Sequence, residues 1–156
     1  MTIPVADSKT LTAQQRERLF AHIIKHATAY SYVALDASVV DSINIRQATL
    51  RAMSQAHSLL AQVGTVTVID GIDKPKDLRD AQTMIKADLL VPAVSAASII
   101  AKVVRDRMML WYHQVYPCYA FDEHKGYGTV KHRLAIAQHG PCALHRLSFK
   151  LLANQE

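Results

Sequence analysis
Cysteine is almost missing from this chain: Cys118 and Cys142 are the only two in 156 residues, too few and too far apart for a disulfide framework or a four-cysteine zinc knot. They read as reduced thiols. Long apolar runs are missing too, none approaching the roughly 18 residues that span a bilayer, so no membrane segment is expected. The start, Met1-Thr2-Ile3-Pro4-Val5-Ala6-Asp7, has neither the basic region nor the apolar stretch of a signal peptide, which makes the cytoplasm the expected address. Repeats and low-complexity stretches are also lacking. What is there is a chain 50% apolar and 20% charged, the composition of a globular protein. Its length suits one core, and residues 1–156 are read as a single domain. Basic side chains outnumber acidic ones for a formal charge of +5. That suits an anionic partner such as nucleic acid, although many basic proteins bind none.

Thr12-Ala13-Gln14-Gln15 is a capping box, followed by Leu19, Ile23, Ile24 and Ala27 at helical spacing, and predicts a helix ending between His26 and Thr28. Tyr30 to Leu35 alternates and is rich in strand formers, so a strand is expected. Ile45, Thr49, Ala52, Ala56, Leu59 and Val63 recur at steps of four and three, which predicts a long helix over 38–63 with that stripe as its apolar face and Gly64 at its end. Thr65 to Ile69 reads as a short buried strand stopping at Asp70-Gly71, and Ile72 to Ala81 as a surface loop. A strand through Thr83-Met84-Ile85 leads to Asp88. Beyond Pro92 another long helix carries a seam of Val94, Ala97, Ala101, Val104, Met108, Trp111 and Val115, expected to form core. It opens on the small residues Ser95 to Ser98, which permit close packing, and Tyr116-Pro117 ends it. Phe121 to Thr129 reads as a loop, Thr129 to about Gln138 as a short helix, and His145, Arg146 and Lys150 as a basic tail.

Asp70 and Asp88 each stand where a β-rich run meets a turn. Hard cations such as Mg²⁺ take carboxylate oxygens and complete their shells with water and substrate phosphate. If both runs belong to one sheet, the two carboxylates emerge at comparable ends and could serve a metal pair about 3.5–4 Å apart. The plain alternative is that Asp-Gly after a strand is only a turn. Lys125-Gly126-Tyr127-Gly128-Thr129 offers an ammonium for phosphate, glycines for close approach and a ring that can stack on a sugar or base. Its alternative is a connector whose tyrosine plugs the core. Lys9 precedes a helix N-terminus that could meet an anion or serve simply as a cap. His124, His132, His139 and His145 lack the i, i+3 or i, i+4 spacing of helical zinc ligands.

Taken in order, these stretches resemble the successive motifs of bacterial ribonuclease HII: Asp7-Ser8-Lys9; Asn44-Ile45 with Ala48-Thr49; Ile69-Asp70-Gly71; Asp88; Ser95 to Val103 with Arg105-Asp106; His124 to Thr129; His139-Gly140-Pro141; and His145-Arg146 with Ser148-Phe149. The resemblance covers nearly the whole chain. It implies an α/β ribonuclease H-like fold, a mixed sheet flanked by helices. It also implies a metal-dependent endonuclease that hydrolyses the RNA strand of RNA/DNA hybrids and cuts on the 5′ side of ribonucleotides embedded in duplex DNA, with Mn²⁺ or Mg²⁺ as cofactor. By the same resemblance Asp70 and Asp88 are metal-site carboxylates and Tyr127 packs on the sugar at the RNA-to-DNA junction, while Lys9, Asn44 and Lys125 contact the nucleic-acid strands. The implied chemistry is two-metal, in-line attack by an activated water, leaving a 3′-hydroxyl and a 5′-phosphate. A monomer is expected.

The family opens with an Asp-Glu pair and a Gly-Arg-Gly segment that senses the 2′-hydroxyl, and neither stands before Asp7. The expectation is therefore a ribonuclease H-like domain without its first two strands and half of its carboxylates, marginally stable alone. Its alternative is a catalytically inactive remnant that at most binds nucleic acid. Ala87 replaces the family's usual glycine, and Leu147 stands where a second basic residue commonly follows His-Arg.

Overall fold
The computed structural model describes residues 10–60 and 66–151; Lys9, Val63, Gly64 and Thr65, which figure in the expectations above, lie outside them. The described elements are α1 (Ala13–His26), α2 (Ala37–Ser58), β1 (Val68–Asp70), β2 (Gln82–Met84), α3 (Pro92–Val115), α4 (Phe121–His124) and α5 (Val130–His139), with 3₁₀ turns at Ala87–Leu89 and Pro117–Tyr119. This is an α/β assembly of helices with a small parallel sheet. The chain forms two compact units, residues 1–34 with 49–103 and residues 35–48 with 104–156.

In the first unit, α1 starts as its sequence demands. Thr12 Oγ1 accepts from the Gln15 amide at 3.2 Å and Gln15 Oε1 from the Thr12 amide at 2.8 Å, which satisfies two otherwise orphaned donors. Ile23, 1% exposed, is its buried anchor. Residues 30–35 are not a strand. Burial alternates as the sequence suggests, with Tyr30, Tyr32 and Ala34 exposed and Ser31, Val33 and Leu35 half-buried. Among the described residues, however, no strand pairs with this run, and a strand is a state of pairing rather than of propensity. The Ser31 hydroxyl instead donates to the Ala56 carbonyl at 2.8 Å.

β1 and β2 pair in parallel with Val68 opposite Gln82, Ile69 opposite Thr83 and Asp70 opposite Met84. The expected strand over 65–69 is thus shifted so that Asp70 ends it rather than follows it. The connection is the expected polar loop, and Lys74 pins it by donating to the carbonyls of Arg79 at 2.5 Å and Ala81 at 2.9 Å. α3 then buries Ser95, Ala96, Ile99, Ile100 and Val103.

That buried face is not the seam expected from sequence. Ala97 and Ala101 are exposed, and so are Trp111 and Val115. The helix is apolar on several sides, so more than one stripe of helical period can be drawn, and the small Ser95 and Ala96 mark the side of closest approach. α2 departs likewise. Its buried residues are Val40 and Ala48, while Ile45, Thr49 and Leu59 are exposed. The cause is Asn44, whose φ of 63° lies in the left-handed region and resets the phase of every residue after it. Asn44 Oδ1 accepts from the Gln47 amide at 3.1 Å, so the side chain caps the helix it has interrupted.

The second unit is built on Met109, Tyr119, Phe121 and Ile136, with Tyr112, Tyr116, Leu144 and Leu151 packed against them. Part of the expected 121–129 loop is the single-turn α4, which forms because Phe121, 1% exposed, is drawn into this core. α5 is capped by Thr129, whose hydroxyl oxygen accepts from the His132 amide at 3.3 Å. The tail is folded back. Asp41 accepts from the amides of Leu147 at 2.8 Å and Ser148 at 2.9 Å and from the Ser148 hydroxyl at 2.6 Å. These bonds, chiefly those from Ser148, hold the Asp41 carboxyl below the usual carboxylate range. His145, expected in an open basic tail, is buried.

Candidate functional site
The sheet register delivers Asp70 to the end of β1, and the chain then reverses at Gly71, whose φ of 126° suits only glycine. β2 ends one residue before Ile85, and Lys86 in the left-handed region turns the chain into the Ala87–Leu89 turn. Asp70 Oδ1 accepts from the Ala87 amide at 3.0 Å. This bond fixes one carboxylate against the turn that carries the other, because Asp88 follows Ala87 directly. Asp70 is exposed and Asp88 half-buried. The turn reading of Asp70 does not preclude the metal reading, since the bond to Ala87 engages one carboxylate oxygen, Oδ1.

Among the described residues no group of three or more His, Cys, Asp or Glu side chains is placed to hold a metal ion. The donor set at this corner is two carboxylates from adjoining turns. That chemistry fits a hard cation that keeps much of its water and shares its remaining positions with phosphate, as Mg²⁺ does. It does not fit a closed zinc site, which takes four nitrogen or sulfur ligands.

Lys125 and Tyr127 lie in the second unit, on the loop between α4 and α5. Lys125 (φ 50°) and Gly126 (φ 79°) are both left-handed, and a Cβ on Gly126 would stand 3.1 Å from Met109 Cε and 3.3 Å from Arg105 Nη2. Glycine is required there by conformation and by space. The Arg105 guanidinium donates to the Lys125 carbonyl at 3.1 Å, and Lys125 Nζ donates to the Asp122 carbonyl. The Tyr127 ring is 58% exposed, so it does not plug the core as one reading of the sequence allowed. Asn44, in the same unit, has its side-chain oxygen engaged in the cap of α2.

Beneath the loop three histidines are buried, His124 at 8% exposure and His132 and His145 at 6% each. His124 Nε2 lies 2.7 Å from the Tyr119 carbonyl, and its Nδ1 accepts from the Gly126 amide at 3.2 Å. His132 Nδ1 lies 3.0 Å from the Tyr127 carbonyl, and its Nε2 lies 3.0 Å from His145 Nε2. Burial, helped by the neighbouring imidazoles, pushes His132 and His145 below the ordinary histidine value. Burial likewise raises the Cys142 thiol and keeps it protonated. The sequence places His124 and His145 in family-like motifs and weighs them with His132 as zinc ligands, but does not predict that the three meet. Positions 124, 132 and 145 share no helical or strand period, so their meeting is tertiary, and the one local signal was the concentration of histidine after position 120.

Asp70 and Asp88 are thus brought together in one unit, and Lys125, Tyr127 and Asn44 belong to the other. No described helix is long and apolar enough to cross a membrane. The family model described as Ribonuclease HII matches residues 2–152. Ribonuclease HII of Burkholderia pseudomallei strain 668 is 48% identical over 143 residues, 92% of this chain and 67% of the relative. Ribonucleases HII of Burkholderia mallei strain SAVP1 and of Burkholderia thailandensis are each 47% identical over the same shares. The chain belongs to the ribonuclease HII family, a hydrolase family of nucleases that cut the RNA of RNA/DNA hybrids.

Proposed function
We propose that this chain carries the metal-binding and substrate-contacting machinery of an endonuclease that hydrolyses the RNA strand of RNA/DNA hybrids and cuts on the 5′ side of ribonucleotides embedded in duplex DNA. The observation that carries the reading is the Asp70–Ala87 hydrogen bond, which sets two carboxylates at one corner in a chain of this family. Asp70 and Asp88 would hold Mn²⁺ or Mg²⁺. When bound, such ions supply an activated water and positive charge for the leaving oxygen. Tyr127, exposed on a loop rigid from below, offers its ring to a sugar. Lys125, Lys9 and Asn44 offer polar contacts to the strands. A cytoplasmic monomer working in RNA removal and DNA repair fits these properties.

The test is cleavage of a duplex containing one ribonucleotide, with Mn²⁺ present. Asp70→Asn keeps an oxygen for the Ala87 amide but removes the negative charge, so the expected result is an intact fold with cleavage lost by at least about a hundredfold. Normal cutting by this variant would remove Asp70 from the site. A second reading is favoured by the absence, among the described residues, of a third acidic side chain at this corner. In it the chain binds hybrid duplex through the Tyr127 loop without turnover. Salt-dependent binding with no cleavage, weakened by Tyr127→Ala, would support that reading.

A further inference from the structure
We propose that His132 and His145 are positioning residues that set the backbone of Tyr127 through a hydrogen-bond chain of one fixed polarity. The two ends of the chain decide the protons in between. The Tyr127 carbonyl can only accept, so His132 must carry its proton on Nδ1, 3.0 Å away. Neutral His132 then has a bare Nε2, and the 3.0 Å contact to His145 Nε2 requires His145 to donate from that atom. His145 Nδ1 is in turn bare, and it meets a group that can only donate, the Cys142 amide at 2.9 Å. The Cys142 carbonyl, 3.3 Å from the same nitrogen, is the longer contact. Two histidines in opposite tautomers therefore link the segment after α5 to the loop before it, with every donor facing an acceptor.

His124 adds a second pin of the same kind. Its Nε2 proton serves the Tyr119 carbonyl, its Nδ1 takes the Gly126 amide, and its ring stacks on His132 with centroids 4.3 Å apart. Consecutive residues, Gly126 and Tyr127, are thus each fastened to a buried imidazole. The groups facing the His132–His145 pair are Phe121 and His124 from α4, Tyr119 from the turn before it, and Cys142 from the segment after α5. None of them is a carboxylate, so among the described residues the one acceptor facing an added proton on His145 Nδ1 is the distant Cys142 carbonyl. A further proton would set N–H against N–H, either between the two rings or at the Cys142 amide.

The assignment of purpose rests on the proposed contact between Tyr127 and substrate, whereas the polarity of the chain does not. Long-range ¹H–¹⁵N NMR of the full chain at pH 7.5 should show His132 protonated on Nδ1 and His145 on Nε2; any other pattern overturns the network. His132→Phe removes the donor to Tyr127 and His132→Asn keeps one, because the amide nitrogen of asparagine sits near the place of Nδ1. The expected result is amide exchange of Tyr127 and Thr129 faster by about tenfold or more in His132→Phe and restored towards wild type in His132→Asn. Unchanged exchange in His132→Phe, or equal loss in both variants, would overturn positioning. Affinity for an RNA/DNA hybrid, read by fluorescence anisotropy, should fall in the same order and, in wild type, hold through the ordinary histidine value of about 6.5 and fall only at the lower pH where the native His132 and His145 protonate. If exchange responds but neither His132→Phe nor Tyr127→Ala alters affinity, the histidine network stands and the substrate contact is what fails.

Discussion
Asp70 reaches its neighbouring turn through one carboxylate-to-amide bond, whereas Gly126 and Tyr127 are held by two buried imidazoles, with an arginine on the adjoining Lys125 carbonyl. The acidic corner has Asp70 exposed and Asp88 half-buried, and the nearby chain also exposes Val66, Ile72, Ile85 and Leu90. The Tyr127 loop hangs its ties on buried imidazoles and exposes one ring. On the proposed reading, carboxylates that hold a hydrated cation lose nothing by solvent access, because water completes the shell. On the same reading, a ring that packs on a sugar gains from being in place beforehand, since ordering a loop on binding costs affinity.

The largest expected effect lies on the loop side. Phe121→Ala empties a site 1% exposed in the core that carries α4 and the histidines, and should lower stability by about 3–5 kcal/mol in urea titration, abolishing hybrid binding with it. Gly126→Ala forces a Cβ against Met109 and Arg105 in a left-handed conformation, for about 1–2 kcal/mol. On the acidic side the pair Asp70→Ala and Asp70→Asn separates the two duties of one side chain. Alanine should cost about 1 kcal/mol for the lost Ala87 bond, while asparagine leaves the melting temperature close to wild type.

Proton linkage distinguishes the regions further. His132 and His145 are held below the ordinary histidine value, so as pH falls through about 6.5 the unfolded chain takes up protons that the native chain refuses. Urea midpoints should be level above that pH, decline below it, and level off once the native imidazoles also protonate. The decline should be shallower in a variant with both histidines replaced by phenylalanine. Asp41 works in the opposite window. Its stabilisation is present above the ordinary carboxylate range and fades in acid as its lowered native value is reached. The smallest effect is expected for Ser148→Ala, which removes one donor to Asp41 and should show only as faster exchange of the Leu147 and Ser148 amides.

Local devices were legible in the sequence and tertiary choices were not. The α1 capping box, the Thr129 start of α5 and the Tyr116-Pro117 break are written within four residues each, and the structure forms all three. The phases of α2 and α3 were misread, because Asn44 resets one helix and the other offers several apolar stripes. Residues 30–35 carry a strand's alternation but, among the described residues, no partner to pair with. At the site, Asp70 and Asp88 were visible as acids at turns, yet the bond joining their turns crosses from one strand end to the next. The histidine chain was out of reach, since its polarity depends on which carbonyl and which amide stand at its ends.

The clasp of Asp41 on Leu147 and Ser148 joins residues 106 and 107 positions apart. A ribosome emits Asp41 long before its partners, so residues 35–48 must wait, unclasped, until Leu147 and Ser148 emerge. Long-range closures of this kind form late and slow the folding that depends on them. The unit bearing the Tyr127 loop is therefore completed only after those residues have emerged, and removal of a few residues around Ser148 should undo it out of proportion to their number.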